Sequence, residues 1–232
     1  RLGEKPTNQP LLDWLALRFV EKGWSVKAMH ETIMLSNAYQ MSSRYDSAAY
    51  EADPENTMLW RFNRRRLEAE AIRDAMLAAS GSLDRTMFGP GSLDENQPRR
   101  SIYFTIKRSK LIPLMMLFDS PDSLQGLGSR ATTTVAPQAL ALMNNPQIAA
   151  YAQALSRRLM PYVGGRPDEA LRQGYLVTLG RQPDDEELAE LRAFFLAARQ
   201  SYAAAHQADA DPLALADFCR SLFSLNEFVY VE

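Results

Sequence analysis

The sequence predicts an all-α fold, and three observations carry that prediction. Apolar residues recur at helical spacing along most of the 232-residue chain. Capping residues and glycines bound these apolar stretches. Only residues 101–106 combine β-branched and aromatic residues in the manner of a strand. We therefore expect about eight helices in an irregular helical domain, with at most one short β hairpin or extended segment near 101–106.

The N-terminal part is predicted to begin with a helical hairpin. Apolar residues 11–19 share one helical face, and Gly23 is placed to end that helix. Ser25 is a typical N-cap for a second helix, which ends near Tyr39. Two helices with so short a connection are expected to pack side by side.

A longer helix is predicted next. Residues 42–50 are rich in Ser and Tyr and are expected to be irregular. The sequence 53–55, Asp-Pro-Glu, is typical of a helix start, and the helix would run to Ser80 with a break near Asn63. Its acids and Arg73 are expected to face outward.

The middle of the chain is predicted to alternate loops and helices. Residues 81–100 form a long loop marked by Gly and Pro, and residues 111–118 form a short apolar helix. The three threonines at 132–134 are expected to cap a helix with Pro137 in its first turn. Another helix then runs from 146 to about 160.

Three more helices are predicted in the C-terminal part. The first covers residues 167–179 and ends at Gly180. Asp184 caps the second, which runs to about Ala205, and Asp211 with the following proline begins the last one.

The length suits one domain, 1–232, with a possible division into 1–110 and 111–232. The chain begins Arg1-Leu2-Gly3-Glu4 without an initiating Met or a signal peptide. We therefore expect a domain excised from a larger protein.

Composition excludes several classes of function. Two His and one Cys exclude an internal disulfide, a structural zinc site of Cys and His alone, and a haem attachment motif. No cofactor is therefore predicted for this domain. The net charge of −2 argues against nucleic-acid binding, and no apolar run is long enough to span a membrane.

Charge is distributed unevenly along the chain. Residues 61–110 hold eleven basic and six acidic side chains, whereas residues 161–232 hold six basic and twelve acidic ones. The basic stretch is therefore a candidate surface for an anionic ligand. The run Arg64-Arg65-Arg66 is either part of such a site or a solvated, ion-paired segment.

Candidate site residues lie in the middle of the chain. Asp119 and Asp122 are candidates for an acid and base pair, and the alternative is that they stabilise turns. The tryptophans and tyrosines of residues 14–60 are candidates for sugar stacking or, as the alternative, for packing. The candidate ligand-binding residues are Arg100, Arg108, Arg130, Gln138 and Asn144.

Several segments together resemble a known family. The most specific is RRLEAEAIRDA at 65–75, and FDSPD at 118–122 is another. Further segments lie at 11–16, 23–27, 53–56, 59–61, 99–103, 137–140, 143–144, 179–183 and 224–228. In order and spacing they resemble the C-terminal uncharacterised domain of large planctomycete cytochrome-c-type surface proteins. This chain departs from the expected Thr-Pro-Leu-Gln run, with Thr-Val-Ala-Pro-Gln at 134–138.

The resemblance implies an exported multidomain parent, in the periplasm or at the cell surface, with any haem in another module. Three functions follow as alternatives. The first is a non-catalytic module for interdomain packing or ligand binding. The second is part of an enzyme acting on anionic polysaccharide, in which Arg100 and Arg108 hold anionic groups and Asp119 and Asp122 act as acid and base. The third is a docking surface for the attached haem module.

Overall fold

A computed structural model describes residues 5–121, 130–164, 167–205 and 208–231 of the chain. Most of these residues are helical, and eight of the helices have seven or more residues. The predicted all-α class is therefore confirmed. The helices are α1 (Gln9–Glu21), α2 (Val26–Met34), α3 (Ser47–Ala52), α4 (Ala69–Ser80), α5 (Pro113–Leu117), α6 (Ala136–Asn144), α7 (Pro146–Leu159), α8 (Pro167–Leu179), α9 (Asp185–Ala204), α10 (Ala210–Phe223) and α11 (Asn226–Val229). Strands β1 (Arg65–Arg66) and β2 (Tyr230–Val231) form a two-stranded sheet.

Local signals explain most of the helix boundaries. The side chains of Ser25, Asn145 and Asp184 accept hydrogen bonds from backbone N–H groups in the first turns of α2, α7 and α9. Gly81 ends α4 with φ +75°, and Gly180 follows α8 with φ +76°. Those left-handed conformations favour glycine, and the helix that precedes Gly180 ends there as predicted.

The chain folds into two compact units. We call Arg1–Arg65 with Val231–Glu232 the N-terminal unit, and Arg66–Tyr230 the core unit. The possible division after residue 110 falls inside the core unit.

The core unit is built around α10. This helix packs against α7 and α9, and α4 also packs against α7. Ile148, Leu155, Phe218 and Leu222 are fully buried at the contact between α7 and α10. A Cβ on Gly174 of α8 would lie 2.6 Å from Phe218 Cε1, so that glycine permits the close approach of α8 to α10.

An ion-pair network centred on Arg181 lies between the end of α8, the start of α9 and α11. Arg181 Nη2 lies 2.6 Å from Glu187 Oε1, and Arg181 Nε lies 2.6 Å from Glu227 Oε1. The hydrogen bonds from Arg181 and from the Asp184 N–H lower the pKa of Glu187 to about 2. The network thereby ties the start of α9 to α11.

The N-terminal unit has a different character. Its helices α1, α2 and α3 bury no side chain, and Asn56 is the one buried residue among its described residues. Trp14 and Trp24 are 51% and 66% exposed. The predicted helical hairpin is therefore present, but its apolar faces are open.

The structure corrects the predicted long helix over 53–80, because α4 begins only at Ala69. The carboxylate of Asp53 accepts hydrogen bonds from the N–H groups of Thr57 and Met58, and the Asn56 side chain donates to the carbonyl of Arg61. Such local bonds offer the backbone an alternative to the helix. The segment predicted to be irregular before it contains α3.

The β structure also lies elsewhere than predicted. Residues Ser101–Tyr103 form a 3-10 turn instead of a strand, followed by an isolated bridge between Phe104 and Ser92. The N–H and hydroxyl of Ser101 each donate to Asp74 Oδ1 at 2.7 Å, which anchors this turn on α4.

Candidate functional site

The candidate residue Asp119 lies directly after α5 in a left-handed conformation, with φ +62°. Its Oδ2 accepts hydrogen bonds from Arg66 Nη2 at 2.6 Å and from the Thr133 N–H at 2.8 Å. The Thr133 hydroxyl donates at 2.9 Å. Burial raises the pKa of Asp119, but the hydrogen bonds from Thr133 and the nearby Arg66 outweigh it and lower the pKa overall. The carboxylate is therefore ionised at neutral pH, and both of its oxygens accept hydrogen bonds.

Arg66, the partner of Asp119, is a buried cation. Its side chain is 3% exposed, and it donates to the carbonyls of Leu67, Phe118 and Thr133 as well as to Asp119. Of the two alternatives for the run Arg64-Arg65-Arg66, the internal ion pair therefore applies to Arg66. Arg66 joins the start of the core unit to the loop after α5 and the segment before α6.

Gln138 also contacts Thr133, and we call Arg66, Asp119, Thr133 and Gln138 the Asp119 cluster. Gln138 is buried, and its amide donates to the carbonyl of Leu117 at 3.0 Å and to the Thr133 hydroxyl at 3.3 Å. Its Oε1 accepts a hydrogen bond from the N–H of Val135, which is the N-cap residue of α6. The predicted threonine cap is therefore replaced by this glutamine. A 90 Å³ cavity borders Arg66 and Gln138.

The other predicted site residues lie in separate surroundings. Arg130 forms two hydrogen bonds with Glu70, at 2.8 and 3.1 Å, and also pairs with Glu68. Arg100 is exposed and lies 3.7 Å from Asp74.

The structure joins neither of the two remaining ligand-binding candidates to the Asp119 cluster. Arg108 and Asn144 are exposed, and no side-chain contact links them to it within the described ranges. Asp122 lies outside the described residues, so the predicted carboxylate pair stays a prediction.

Arg73 is a buried structural residue, and the prediction that it lies on the outward face of its helix is wrong. Its side chain is 1% exposed, and its guanidinium donates to the carbonyls of Gln97 and Arg99 and to the Ser101 hydroxyl. These bonds hold the long loop 81–100 against α4. Its place beside Ile72, on the apolar side of the helix, was the available signal.

A groove of about 450 Å³ lies within the N-terminal unit. Apolar side chains of α1, α2 and the segment before β1 form most of its lining, including Trp14, Ile33, Tyr39 and Phe62. Trp24 packs on Phe19 instead. The aromatic residues of this unit therefore do not form one sugar-stacking platform.

Two cations line the same groove. They are Arg61, whose guanidinium lies over the ring of Trp60, and Arg65. The lining contains no carboxylate.

Other chemistry finds little support in the described part of the chain. No group of three or more His, Cys, Asp or Glu side chains is placed to hold a metal ion there. Burial raises the pKa of Cys219, so this thiol is poorly suited to act as a nucleophile. Among the described helices, none combines the length and apolar character needed to cross a membrane.

Comparison with known proteins identifies a matching family model. The family model PSD1, described as a protein of unknown function (DUF1553), matches residues 1–195. No curated protein and no solved structure shows significant similarity to the chain.

Proposed function

We propose, on the premise that this chain belongs to the PSD1 family of proteins of unknown function (DUF1553), that it is a non-catalytic packing module. In this proposal it forms part of a larger exported protein, and a neighbouring domain of that polypeptide covers the N-terminal unit. The observation that carries the proposal is that no apolar side chain is buried in the described residues of that unit.

Helices of this length need a packed face. Helices α1 and α2 have 13 and 9 residues, and isolated helices shorter than about 12–15 residues are marginal in water. Tertiary packing of an apolar face normally supplies the missing stability. Large apolar side chains exposed on these two helices and beside them are Leu11, Leu12, Trp14, Leu17, Val20, Trp24, Val26, Ile33, Met34 and Leu35. So dense an exposed set is typical of an interaction surface.

The groove favours ligand binding as a second candidate function. An apolar lining with Arg61 and Arg65 suits a ligand that has an apolar body and one anionic group. Docking of a haem module would use the basic stretch 61–110. The polysaccharide-enzyme alternative has less support, because Asp119 is already bonded to Arg66 and Thr133.

Hydrogen exchange tests the packing proposal. We expect the amides of α1 and α2 to exchange rapidly in the chain alone and to be protected in the parent polypeptide. Helix α10, which lies at the centre of the core unit, is the internal control and should be protected in both. Equal exchange of α1 and α2 in the two samples would contradict the proposal.

Tryptophan fluorescence separates packing from ligand binding. All three tryptophans, Trp14, Trp24 and Trp60, lie in the N-terminal unit, so their emission reports on that unit alone. Laurate and uncharged dodecanol are suitable probes for the groove. An emission change that laurate causes and dodecanol does not, and that Arg65→Gln abolishes, would support ligand binding in the groove.

A further inference from the structure

The tip of the long loop in the core unit exposes two large apolar side chains. Met87 is 65% exposed and Phe88 is 77% exposed. Phe88 also has φ +66°, a conformation that residues other than Gly, Asn and Asp rarely adopt. Exposure and an unfavourable backbone conformation both oppose folding, so packing within the described chain does not explain this phenylalanine. Backbone strain of this kind is concentrated at functional sites.

Arg99 fixes the conformation of the tip. Its Nε and Nη1 donate to the carbonyls of Thr86 and Pro90 at 3.2 and 3.1 Å, and its Nη2 donates to the carbonyl of Phe88. The guanidinium also lies 3.7 Å from the centre of the Tyr103 ring. The apolar side chains are therefore presented by a braced turn.

Part of the backbone of the tip is bonded from within. Three alternate carbonyls are bonded to Arg99, and the N–H of Phe88 donates to the Tyr103 hydroxyl at 2.7 Å. These bonds reduce the cost of removing the turn from water.

Exposed cations and further apolar side chains lie in the same segment. Ser92 exchanges backbone hydrogen bonds of 2.8 Å with Tyr103 and Thr105, which brings the stretch after the tip alongside residues 103–105. Ile102 and Ile106, next to this stretch, are 71% and 59% exposed.

The cations are Arg85, which precedes the tip, and Lys107, Arg108 and Lys110, which follow the residues 103–105 that pair with Ser92. All four are exposed, and their side chains have no ion pair with any acid in the described part of the chain. Apolar tips flanked by free cations are typical of surfaces that bind anionic membranes.

We propose that residues 85–110 form a peripheral membrane-binding loop. Met87 and Phe88 enter the headgroup region of an anionic bilayer, while Lys107, Arg108 and Lys110 contact lipid phosphates. The loop lies in the core unit, so this proposal is independent of the covering of the N-terminal unit.

The chemistry of the tip favours lipid over an anionic polysaccharide or a protein. The ring of Tyr103 is covered by Arg99, and the ring of Phe88 is open, but a sugar also needs hydrogen-bonding side chains at the site. Met87 and Phe88 offer no hydrogen-bonding group. The charge of the segment favours lipid, because the exposed cations Arg85, Lys107, Arg108 and Lys110 suit the phosphates of an anionic bilayer.

Vesicle sedimentation tests the proposal with the full chain. The chain is mixed with vesicles of phosphatidylcholine alone, or of phosphatidylcholine and phosphatidylglycerol in equal parts. We expect it to pellet with the anionic vesicles only, and raised salt should weaken that binding. Dextran sulfate is added in a separate arm to test the polysaccharide alternative.

Two variants and their controls separate insertion from simple charge attraction. Phe88→Gly should fold, since glycine readily adopts a positive φ, and should lower vesicle affinity about tenfold or more. Lys107→Gln with Arg108→Gln should lower it about fivefold for each lost charge. The matched controls are Phe194→Gly, an exposed phenylalanine of α9, and Lys22→Gln with Lys27→Gln in the N-terminal unit.

Three results would overturn the proposal. They are no sedimentation with anionic vesicles, sedimentation that Phe88→Gly leaves unchanged, and binding of dextran sulfate that abolishes sedimentation and is itself insensitive to Phe88→Gly. Loss of sedimentation in Phe88→Gly with retained thermal stability would support it.

Discussion

Replacement of Asp119 by Asn distinguishes a structural role from a catalytic one. The substitution keeps the size of the side chain and removes its charge. Asn tolerates the positive φ of this position, so the backbone adds little cost. The main loss is the charge-assisted bond to Arg66, whose side chain is 3% exposed and would keep its charge without a carboxylate.

The expected cost follows from these contacts. A hydrogen bond between charged groups contributes about 1.5–3 kcal/mol, and removal of one partner of a buried pair costs about 3–5 kcal/mol. The three carbonyls that accept from Arg66, and the retained contact with Thr133, reduce that cost. We expect Asp119→Asn to lower the free energy of unfolding by about 2–3 kcal/mol. For a chain of this size the melting temperature should fall by about 4–12 °C.

The variant should also respond differently to acid. The pKa of Asp119 is lowered in the folded state. Its stabilising contribution is therefore complete above the unfolded-state pKa of about 4 and is lost as the pH falls through the lowered folded-state pKa. Asp119→Asn should remove this part of the acid destabilisation.

Thermal and urea unfolding, followed by circular dichroism, measure these effects. Asp94→Asn is the matched control, because its exposed carboxylate accepts a turn hydrogen bond that Asn can also accept. It should shift the melting temperature by less than about 1 °C. If Asp119→Asn is as stable as the wild-type chain and abolishes an activity of the parent protein, the structural account of Asp119 is refuted.

Further predictions concern the packing of the core unit. Gly174→Ala should cost about 1–3 kcal/mol in urea unfolding, because its Cβ would overlap Phe218, whereas Gly164→Ala meets open space and should be neutral. Arg73→Met should cost about 3 kcal/mol and should make the loop 81–100 sensitive to limited proteolysis, since the carbonyls it binds lose their buried donor. Glu187 has a pKa of about 2, so its contribution to stability is complete above about pH 4.5 and is lost as the pH falls towards 2; Glu187→Gln should flatten the stability profile in that range.

The sequence predicted the helices better than the connections. Strong local signals such as Ser25, Asp184 and Gly180 set helix boundaries within a few residues. The helix predicted over 53–80 was wrong because the side chains of Asp53 and Asn56 bond to nearby backbone groups. Periodicity does not detect such local competition.

The candidate site was harder to predict, because its contacts join distant parts of the chain. Asp119 and Gln138 do share Thr133, but the ion pair between Asp119 and Arg66 spans 53 residues. An arginine in a basic run gives no local sign that it is buried. Arg73 differs, because its place on the apolar side of α4 was a local signal, and only its partners in the loop 81–100 could not be predicted.

The open surface of the N-terminal unit could not be predicted from spacing. The apolar face of α1 has the pattern of a core helix, and nothing in that pattern says what covers it. The structure shows that the described chain itself does not cover it. This absence is the basis of the packing proposal.

Thiol labelling of an introduced cysteine tests the packing proposal most directly. Cys219 is fully buried, so its thiol should not react with the labelling reagent in the folded chain. Leu12→Cys should react rapidly in the chain alone, and labelling should slow at least about tenfold in the parent polypeptide if a neighbouring domain covers this helix face. Leu196→Cys, on an exposed position of α9, is the control and should react rapidly in both. Equal labelling of Leu12→Cys in the chain and in the parent would contradict the account.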